Sequence, residues 1–324
     1  MIESHESTTA KLCSFARAYH STYARKKIFD DSLAFDFMGL EQYEETGQLI
    51  GHNYQENLID PNLSFHSSEI VDKLNRYLMP IPISRIAFAE QELTSFAGRF
   101  PRCQYVICGA GMDTFLFRNG NDNIHVFEID HPDTQRFKKA RIRQLEWTIP
   151  TNARLVPVDF SKDDMITALI QAGFDPKIPT FFSVLGVTYY LPLELFEDTV
   201  KKMGSFQNPE NRLVFDFPDE GLPTDSARGA ELTRITAMLG EPMAPGYQEE
   251  DVMNMLRRCG FCCKQHFTPE EIEKRYFSGQ SDGLHALRCQ ESGTRKIVCP
   301  GKSRACIWCC QKAAALPKDT IPRA

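Results

Sequence analysis

The chain has 324 residues, which is enough for one large α/β domain or two smaller ones, and its 42% hydrophobic and 25% charged residues are typical of a globular protein. The net charge of −6 argues against nucleic acid as a partner, and no apolar stretch approaches the roughly 20 residues of a membrane span. The polar N-terminus lacks the apolar core of a secretion signal, so we expect a cytoplasmic enzyme with no membrane partner.

The N-terminal part, residues 1–98, is predicted to form an irregular helical extension that caps the rest of the molecule. It contains the segment "HSSEIVDKLNRYLMPIPISRIAFAEQELTSFAGRF". A helix is predicted to begin there at Ser67–Ser68, followed by a break at Pro80 and Pro82. Gly98 is predicted to close a second helix.

Beyond Pro101, strands and helices alternate with short connections. Five strands are predicted in the segments "CQYVICGAG", "NIHVFEID", "ARLVPVDF", "IPTFFSVLGV" and "NRLVFDFP". The helices between them include one with Pro132 in its first turn and one that begins at a Ser161 cap and stops at Gly173. Such alternation is the signature of a doubly wound parallel sheet.

After Pro218 this alternation is interrupted by a helical insert at about residues 219–250. Two more strands are predicted, "FCCKQHF" and "RACIWCCQKA", together with the helices "EDVMNMLRRCG" and "TPEEIEKRYFSG". Residues 99–324 are therefore expected to form a Rossmann-like α/β core with a mostly parallel, seven-stranded sheet. The order of the elements places both the insert and the N-terminal extension where a lid would lie.

The eleven cysteines include two CxxC spacings, Cys259 to Cys262 and Cys306 to Cys309. Paired CxxC motifs hold zinc in many proteins. Here the first motif runs from a helix end, with Gly260 as the cap, into a strand. The second lies within one strand, where positions three apart point to opposite faces. We favour buried, reduced thiols and no metal, with a zinc site as the alternative.

The segment "YVICGAGMDTFLFR" ends its apolar run in a glycine turn, Gly109-Ala110-Gly111. In such sheets, ligands bind outside the carboxyl ends of the strands, and glycine lets the backbone approach them closely. A dinucleotide fingerprint needs a third glycine where Thr114 stands, and a Walker loop needs a lysine that "GAGMDTF" lacks. The turn by itself therefore leaves the identity of the cofactor open.

Acids at the next two strand ends narrow the choice of cofactor. Glu128 and Asp130 share one face of "VFEID", and Asp130, nearer to the strand end, is predicted to accept hydrogen bonds from both ribose hydroxyls. Asp159 is predicted to accept from the adenine amine while Phe160 covers the ring. Together with the glycine turn, these acids describe an adenosyl pocket without a pyrophosphate, which favours S-adenosylmethionine over NAD. The alternative for each aspartate is a helix cap.

The segments "CQYVICGAGMDTFLFR", "VFEIDHP", "LVPVDF" and "FFSVLGVTYYLP" resemble, in order and spacing, the leucine carboxyl methyltransferase family. This family includes protein phosphatase methyltransferases and bacterial polyketide carboxyl or O-methyltransferases of the tetracenomycin type. The resemblance runs from about residue 15 to the C-terminus. It implies the class I methyltransferase fold and S-adenosylmethionine as the cofactor.

The resemblance also implies roles for individual residues. The segment "ISRIAFAEQEL" resembles the family's arginine helix, which implies that Arg85 pairs with the carboxylate of the cofactor. A guanidinium suits a desolvated carboxylate because it offers a bidentate fork, although a surface salt bridge is the alternative. Arg17 is a weaker candidate for a second contact to that carboxylate. Gly109 would lie at the methionine part of the cofactor, and Gly111 belongs to the same binding turn.

The sequence departs from the family pattern at two positions. Phe115 replaces the arginine of the usual Gly-Ala-Gly-x-Asp-Thr-Arg motif, and Leu185 stands where the family has a glutamate. In the family, that glutamate lies beside the amino group or the methyl donor region of the cofactor. The resemblance therefore implies that Leu185 lies at a cofactor-binding position. These departures motivate the alternative of a non-catalytic binding protein on the same fold, and an NAD-dependent oxidoreductase is a third hypothesis.

The leading hypothesis is an S-adenosylmethionine-dependent O-methyltransferase that acts on a carboxylate or hydroxyl of a small metabolite, such as a polyketide-type natural product. A carboxylate is already ionised at neutral pH and needs no general base, so no catalytic residue is assigned. A hydroxyl acceptor would need one, and Tyr189, Tyr190 and His20 are the candidates.

Overall fold

The computed structural model describes residues 8–54, 75, 78–160, 162–220, 227–238, 240–279, 284–286 and 305–313. Its centre is a seven-stranded sheet in the order β3-β2-β1-β4-β5-β7-β6. The strands are β1 (Cys103–Cys108), β2 (Ile124–Asp130), β3 (Ala153–Pro157), β4 (Thr180–Val184), β5 (Arg212–Pro218), β6 (Phe261–Phe267) and β7 (Ala305–Lys312).

The first five strands are parallel, and β7 lies antiparallel between β5 and β6. The strand order reverses at β1, where Cys108 is paired with Ile129 of β2 on one side and Val184 of β4 on the other. The carboxyl ends of β1, β2 and β4 therefore lie side by side, which is where ligands bind in such sheets. The predicted α/β fold with a mostly parallel, seven-stranded sheet is confirmed.

Helices cover both faces of the sheet. They are α1 (Thr8–Tyr23), α2 (Ala34–Met38), α3 (Leu40–Tyr54), α4 (Pro80–Ala97), α5 (Phe115–Arg118), α6 (Pro132–Gln144), α7 (Met165–Gln171), α8 (Leu193–Ser205), α9 (Ala227–Met238), α10 (Glu249–Arg258) and α11 (Pro269–Ile272). A 3₁₀ turn, Thr188–Tyr190, follows β4, and a π-type turn, Glu273–Phe277, follows α11.

Successive side chains of β1 point to opposite faces of the sheet, so the strand separates two hydrophobic clusters. Tyr105 and Ile107 point to one face of the sheet and pack with α1 and α4, whereas Val106 and Cys108 point to the other face and pack with α7, α8 and α10. All six residues of β1 are buried. A central parallel strand is covered on both faces in this way, which explains its continuous apolar run.

The N-terminal helices belong to the same core as the sheet, since Phe15 of α1 and Phe88 of α4 lie in one cluster with residues of β1, β4 and β5. Pro80 and Pro82 lie in the first turn of α4, where a missing N–H is tolerated. The helix predicted from Ser67–Ser68 lies outside the described residues. The division between residues 1–98 and 99–324 and the role of the insert as a lid stay predictions.

One local prediction needs correction. The N-cap of α7 is Asp164, whose carboxylate accepts from the backbone N–H groups of Ile166 and Thr167, and the predicted cap Ser161 lies outside the described residues. The helix after β1, α5, has only four residues and follows the glycine turn closely. By contrast, α6 begins at Pro132 as predicted, with His131 as its N-cap.

Two features of the described residues bear on the class of protein. None of their helices is both long and apolar enough to span a bilayer. They contain no group of three or more His, Cys, Asp or Glu side chains placed to hold a metal ion.

Gly260 has a positive φ of 76° between α10 and β6, as the predicted helix cap requires.

Candidate cofactor site

The glycine turn closes over the end of β2. The N–H groups of Gly109 and Ala110 both donate to the carbonyl oxygen of Ile129, at 2.8 and 3.2 Å. Gly109 and Gly111 have positive φ angles of 73° and 50°. A Cβ at Gly109 would overlap Val187, which follows β4, so this position requires glycine both for its backbone conformation and for space.

Asp130, the predicted ribose ligand, is oriented by this turn. Its carboxylate accepts from the N–H of Gly111 at 2.5 Å and from the N–H of His131 at 2.7 Å. Burial raises the pKa of Asp130, and the two backbone donors oppose that rise. Because each carboxylate oxygen has more than one lone pair, Asp130 retains acceptor capacity for a ligand.

Glu128, two residues deeper in β2, has a different environment. It is fully buried, and its Oε2 lies 2.5 Å from Nζ of Lys138, which also donates to the carbonyl oxygen of Asp113. Burial raises the pKa of Glu128 to about 7 against the opposing charge of Lys138. Glu128 thus belongs to the packing beneath the site, whereas Asp130 lies at its surface.

Asp159 lies at the same edge of the sheet as Asp130. The N–H of Val158 donates to the carbonyl oxygen of Asp130 at 2.9 Å, which brings the chain after β3 alongside the end of β2. His131 connects the two acids, since its N–H donates to Asp130 and its Nε2 lies 3.7 Å from Oδ2 of Asp159. Phe160 is partly buried against the neighbouring core. We call the glycine turn, Asp130, Asp159 and Phe160 the adenosine edge, after the ligand that the sequence predicts for it.

Arg85 lies on α4 and is buried, not on the surface. Its Nη1 donates to Oδ2 of Asp216 at 3.2 Å, and its Nη2 donates to Sγ of Cys13 at 3.3 Å. Oδ1 of Asp216 accepts from the N–H of Gly186 at 2.7 Å. Burial works against the charge of Arg85, yet Asp216 holds the pKa of this guanidinium above its ordinary value. We call Arg85, Asp216 and Gly186 the ion-pair edge.

Gly186 allows this close packing. It follows β4 with a positive φ of 72°, and a Cβ at this position would overlap the guanidinium of Arg85. Leu185, beside it, packs against the hydrophobic core and brings no charge to the turn. Asp216 was missed in the sequence, although a lone acid in the apolar strand "RLVFDFP" was an available signal.

Arg17 ties α1 to the glycine turn. Its Nη2 donates to the carbonyl oxygen of Met112 at 2.6 Å, and its Nη1 pairs with Asp31 at 2.8 Å. Nε donates to the carbonyl oxygen of Cys13 at 3.4 Å. All three nitrogens of Arg17 therefore have protein acceptors, and the contacts place Arg17 beneath the turn as a support.

A second missed group is the polar network behind the glycine turn. Thr114 donates to Asp31 at 2.6 Å, and Arg118 pairs with both Asp31 and Glu90. Burial works to raise the pKa of Asp113, but Arg17, Arg118 and Lys138 together lower it. The sequence signal was the cluster of polar residues in "GMDTFLFR". Phe115, at the position of the family's arginine, packs its ring edge to face with Tyr105 at 5.0 Å.

A small cavity of about 20 Å³ lies beside the ion-pair edge. Its lining is mostly apolar, with one ion pair at one side. The lining residues are Pro80, Ile81, Ser84, Arg85, Tyr189, Asp216, Pro269, Ile272, Ala286 and Ile307.

Helix α1 passes close to the glycine turn and the ion-pair edge. Ala10 would be 3.4 Å from a Cβ at Gly111, and Cys13 contacts Arg85. Near its N-terminus, Thr9 shares a hydrogen bond of 3.1 Å with the hydroxyl of Tyr190, and the N–H of Thr9 donates to Glu241 at 3.0 Å. Helix α1 is thereby attached to the 3₁₀ turn after β4 and to the segment after α9.

Comparison with known proteins identifies the family. The model of the family described as leucine carboxyl methyltransferase matches residues 10–204. The chain belongs to the leucine carboxyl methyltransferase family. A Bacillus subtilis protein, YktD, which its name places among the S-adenosyl-L-methionine-dependent methyltransferases, is 33% identical over 304 residues, covering 89% of this chain and 96% of that protein.

Further matches agree with the family assignment. A Mycobacterium tuberculosis protein, also named as an S-adenosyl-L-methionine-dependent methyltransferase, is 36% identical over 124 residues, covering 38% of this chain and 41% of that protein. A solved structure of a DUF574 family protein from Streptomyces avermitilis has a TM-score of 0.50 at 11% identity, with 82% of this chain and 97% of that chain covered, which is a likeness of fold alone.

The family assignment determines the reaction class. The protein is a methyltransferase, and S-adenosyl-L-methionine is its cofactor. This replaces both the NAD-dependent oxidoreductase and the non-catalytic binding protein as hypotheses.

Proposed function

We propose that this methyltransferase is an O-methyltransferase that transfers the methyl group to a carboxylate of a small, largely apolar metabolite, of which a polyketide-type natural product is an example. The observation that carries the proposal is the mostly apolar lining of the surface beside the ion-pair edge. Six of the ten residues that line the small cavity there are proline, isoleucine or alanine. Apolar walls with a few placed polar groups are typical of small-molecule sites.

The chemistry of the donors and acceptors fits the cofactor. The adenosine edge offers the carboxylates of Asp130 and Asp159, which suit ribose hydroxyls and an adenine amine. Nε of Arg85 is buried and has no hydrogen-bond partner among the described residues, so it is available to a carboxylate. We assign the cofactor to Arg85, Gly109, Gly111, Asp130, Asp159 and Phe160, with Leu185 as an apolar neighbour and Arg17 as a support of the turn.

When bound, the cofactor supplies a methyl group on a sulfonium, which leaves as a neutral thioether. The chain has to align the acceptor with that methyl group and exclude water. Alignment in a well-oriented site lowers the activation barrier by on the order of 7–11 kcal/mol. Helix α1 supports this role through Ala10 and Cys13, which lie against the two edges.

The candidate bases have other environments, which favours an acceptor that is already ionised. Nε2 of His20 accepts from the N–H of Ile28 at 3.0 Å. Burial raises the pKa of Tyr190, whose hydroxyl is hydrogen-bonded to Thr9. A phenol with a raised pKa stays protonated at neutral pH and is a poor base. Tyr189 lines the cavity, and its ring is buried.

The test combines binding with the stability of the product. S-adenosylhomocysteine should bind the purified protein in calorimetry, and methyl-labelled cofactor should label carboxylic acids in a panel of apolar acids, phenols and alcohols. Methyl esters release methanol in mild base, whereas methyl ethers do not. Base-labile label on an acid supports the proposal. Label confined to base-stable ethers would contradict the carboxylate acceptor.

A further inference from the structure

Asp216 is an unusual residue for its place in the fold. It lies in β5, within a strand whose central residues are otherwise apolar, and only 2% of it is exposed. An acid buried in such a strand is disfavoured unless its charge is paired and hydrogen-bonded. Arg85, which pairs with it, comes from α4, 131 positions earlier in the chain.

The contacts of Asp216 leave it able to accept more hydrogen bonds. Oδ2 accepts from Arg85 and Oδ1 accepts from the N–H of Gly186. A carboxylate has about four acceptor sites on its two oxygens, so these contacts do not exhaust it. Asp216 is also the one acid among the described residues that line the cavity.

The position of the ion pair relates it to the glycine turn. β4 lies between β1 and β5, and Val187, next to Gly186, would be met by a Cβ at Gly109. A continuous line of contacts thus runs from Gly109 through Val187 and Gly186 to Asp216. A cofactor whose nucleoside lies at the adenosine edge and whose amino-acid end extends along this line arrives at Arg85 and Asp216.

The amino-acid end of S-adenosylmethionine is a zwitterion, with an ammonium group and a carboxylate on one carbon. An arginine and an aspartate side by side present the complementary pair of charges. The turn after β4 offers the apolar Leu185 and no acid of its own. We propose that Asp216 accepts a hydrogen bond from the α-ammonium group of the cofactor while Arg85 binds its α-carboxylate. This inference rests on the proposed placement of the cofactor.

The experiment compares three ligands by calorimetry. These are S-adenosylhomocysteine, its analogue without the amino group, and 5′-methylthioadenosine, which lacks the whole amino-acid end. The variant is Asp216→Asn, whose side-chain oxygen still accepts from Gly186. The control is Glu92→Gln, a largely buried acid on α4 that lies 3.8 Å from Arg212, at the opposite end of β5 from Asp216.

Asp216→Asn should weaken binding of S-adenosylhomocysteine by at least about tenfold, the value expected for a charge-assisted hydrogen bond. Binding of the deaminated analogue and of 5′-methylthioadenosine should change by less than about threefold, and Glu92→Gln should leave all three unchanged. Unchanged affinity for S-adenosylhomocysteine in Asp216→Asn would overturn the inference, as would an equal loss for all three ligands.

The unaltered protein provides a second readout if Asp216→Asn does not fold. It should bind the deaminated analogue at least about tenfold more weakly than S-adenosylhomocysteine, and equal binding would overturn the inference. Failure of the unaltered protein to bind either S-adenosylhomocysteine or 5′-methylthioadenosine would instead contradict the proposed function itself.

Discussion

The adenosine edge and the ion-pair edge lie on neighbouring strands but are built in different ways. At the adenosine edge, each functional group lies at the end of its own strand or within a few residues of it, and local backbone donors such as the N–H of Gly111 orient Asp130. At the ion-pair edge, Arg85 and Asp216 come from distant parts of the chain and are held by each other. The first edge depends on short segments, and the second depends on the completed tertiary structure.

This difference predicts that substitutions at the two edges have different consequences. Loss of a group at the adenosine edge should weaken ligand binding with a smaller change in stability, because Asp130 and the backbone donors that orient it are only partly buried. Loss of one partner at the ion-pair edge leaves a buried charge without its counterion, so stability should fall as well.

The largest effect is expected for Arg85→Ala. This change leaves Asp216 buried and unpaired and should lower the free energy of unfolding by about 3–5 kcal/mol, as measured by urea denaturation. The matched control is Arg258→Ala, which breaks the exposed pair with Glu197 and should change stability little. Equal stabilities for the two variants would show that the buried ion pair contributes no more to the stability of the protein than the exposed one.

The next effect is expected for Asp130→Ala at the adenosine edge. Loss of the ribose acceptor should weaken the binding of S-adenosylhomocysteine by about 1.5–3 kcal/mol, roughly 10- to 150-fold, as measured by calorimetry. The midpoint of thermal unfolding should change less than in Arg85→Ala. Asp133→Ala, at the start of α6, is the control and should bind normally. An Asp130→Ala variant with unaltered affinity would show that Asp130 does not bind the ribose of the cofactor.

A smaller effect is expected for Asp159→Asn. The analogue S-inosylhomocysteine lacks the adenine amine, so the unaltered protein should prefer S-adenosylhomocysteine over it. Asp159→Asn should reduce this preference by about 1 kcal/mol, roughly fivefold, because a neutral amide accepts more weakly from the adenine amine than a carboxylate and can donate to the oxygen of the inosine analogue. Competition binding with both nucleosides measures the preference. A preference that survives intact in Asp159→Asn would assign adenine recognition to another group.

The smallest effect on binding is expected for Glu128→Gln, because this acid lies beneath the site. Its affinity for S-adenosylhomocysteine should stay within about twofold of the unaltered protein. Its stability should depend on pH in a distinctive way. Burial raises the pKa of Glu128 to about 7, so the folded protein holds this proton more tightly than the unfolded chain does.

The sign of that dependence follows from linkage. The stability of the unaltered protein relative to Glu128→Gln should fall as the pH rises from about 4.5 to about 7, by at most about 1.4 kcal/mol per pH unit, and then level off. Urea denaturation at several pH values measures it. A difference that stays flat over the same range would show that Lys138 keeps Glu128 ionised.

The sequence predicted the parts of the molecule in which structure is local. The succession of strands and helices along the chain needed only the alternation of apolar runs and amphipathic segments, and the glycine turn and the acids at the ends of β2 and β3 could be located by position alone. The side-by-side placement of Asp130 and Asp159 then follows from parallel pairing of β2 with β3. The helix cap at Asp164 was missed because Ser161 and Asp164 are both good caps.

The sequence did not predict which distant side chains meet. Arg85 was assigned through its resemblance to a family helix, but its partner Asp216 could not be paired with it across 131 positions. Arg17 was a weaker candidate for the same carboxylate, and the sequence did not predict that its nitrogens donate to Asp31, Met112 and Cys13. Such pairings depend on how α1 and α4 pack on the sheet, which periodicity does not specify.

The most direct test is a crystal structure of the protein with S-adenosylhomocysteine. The account predicts the ribose at Asp130, the adenine between Phe160 and Asp159, and the amino-acid end at Arg85 and Asp216. Electron density for the nucleoside at another edge of the sheet, or an amino-acid end that points away from the ion pair into solvent, would contradict it.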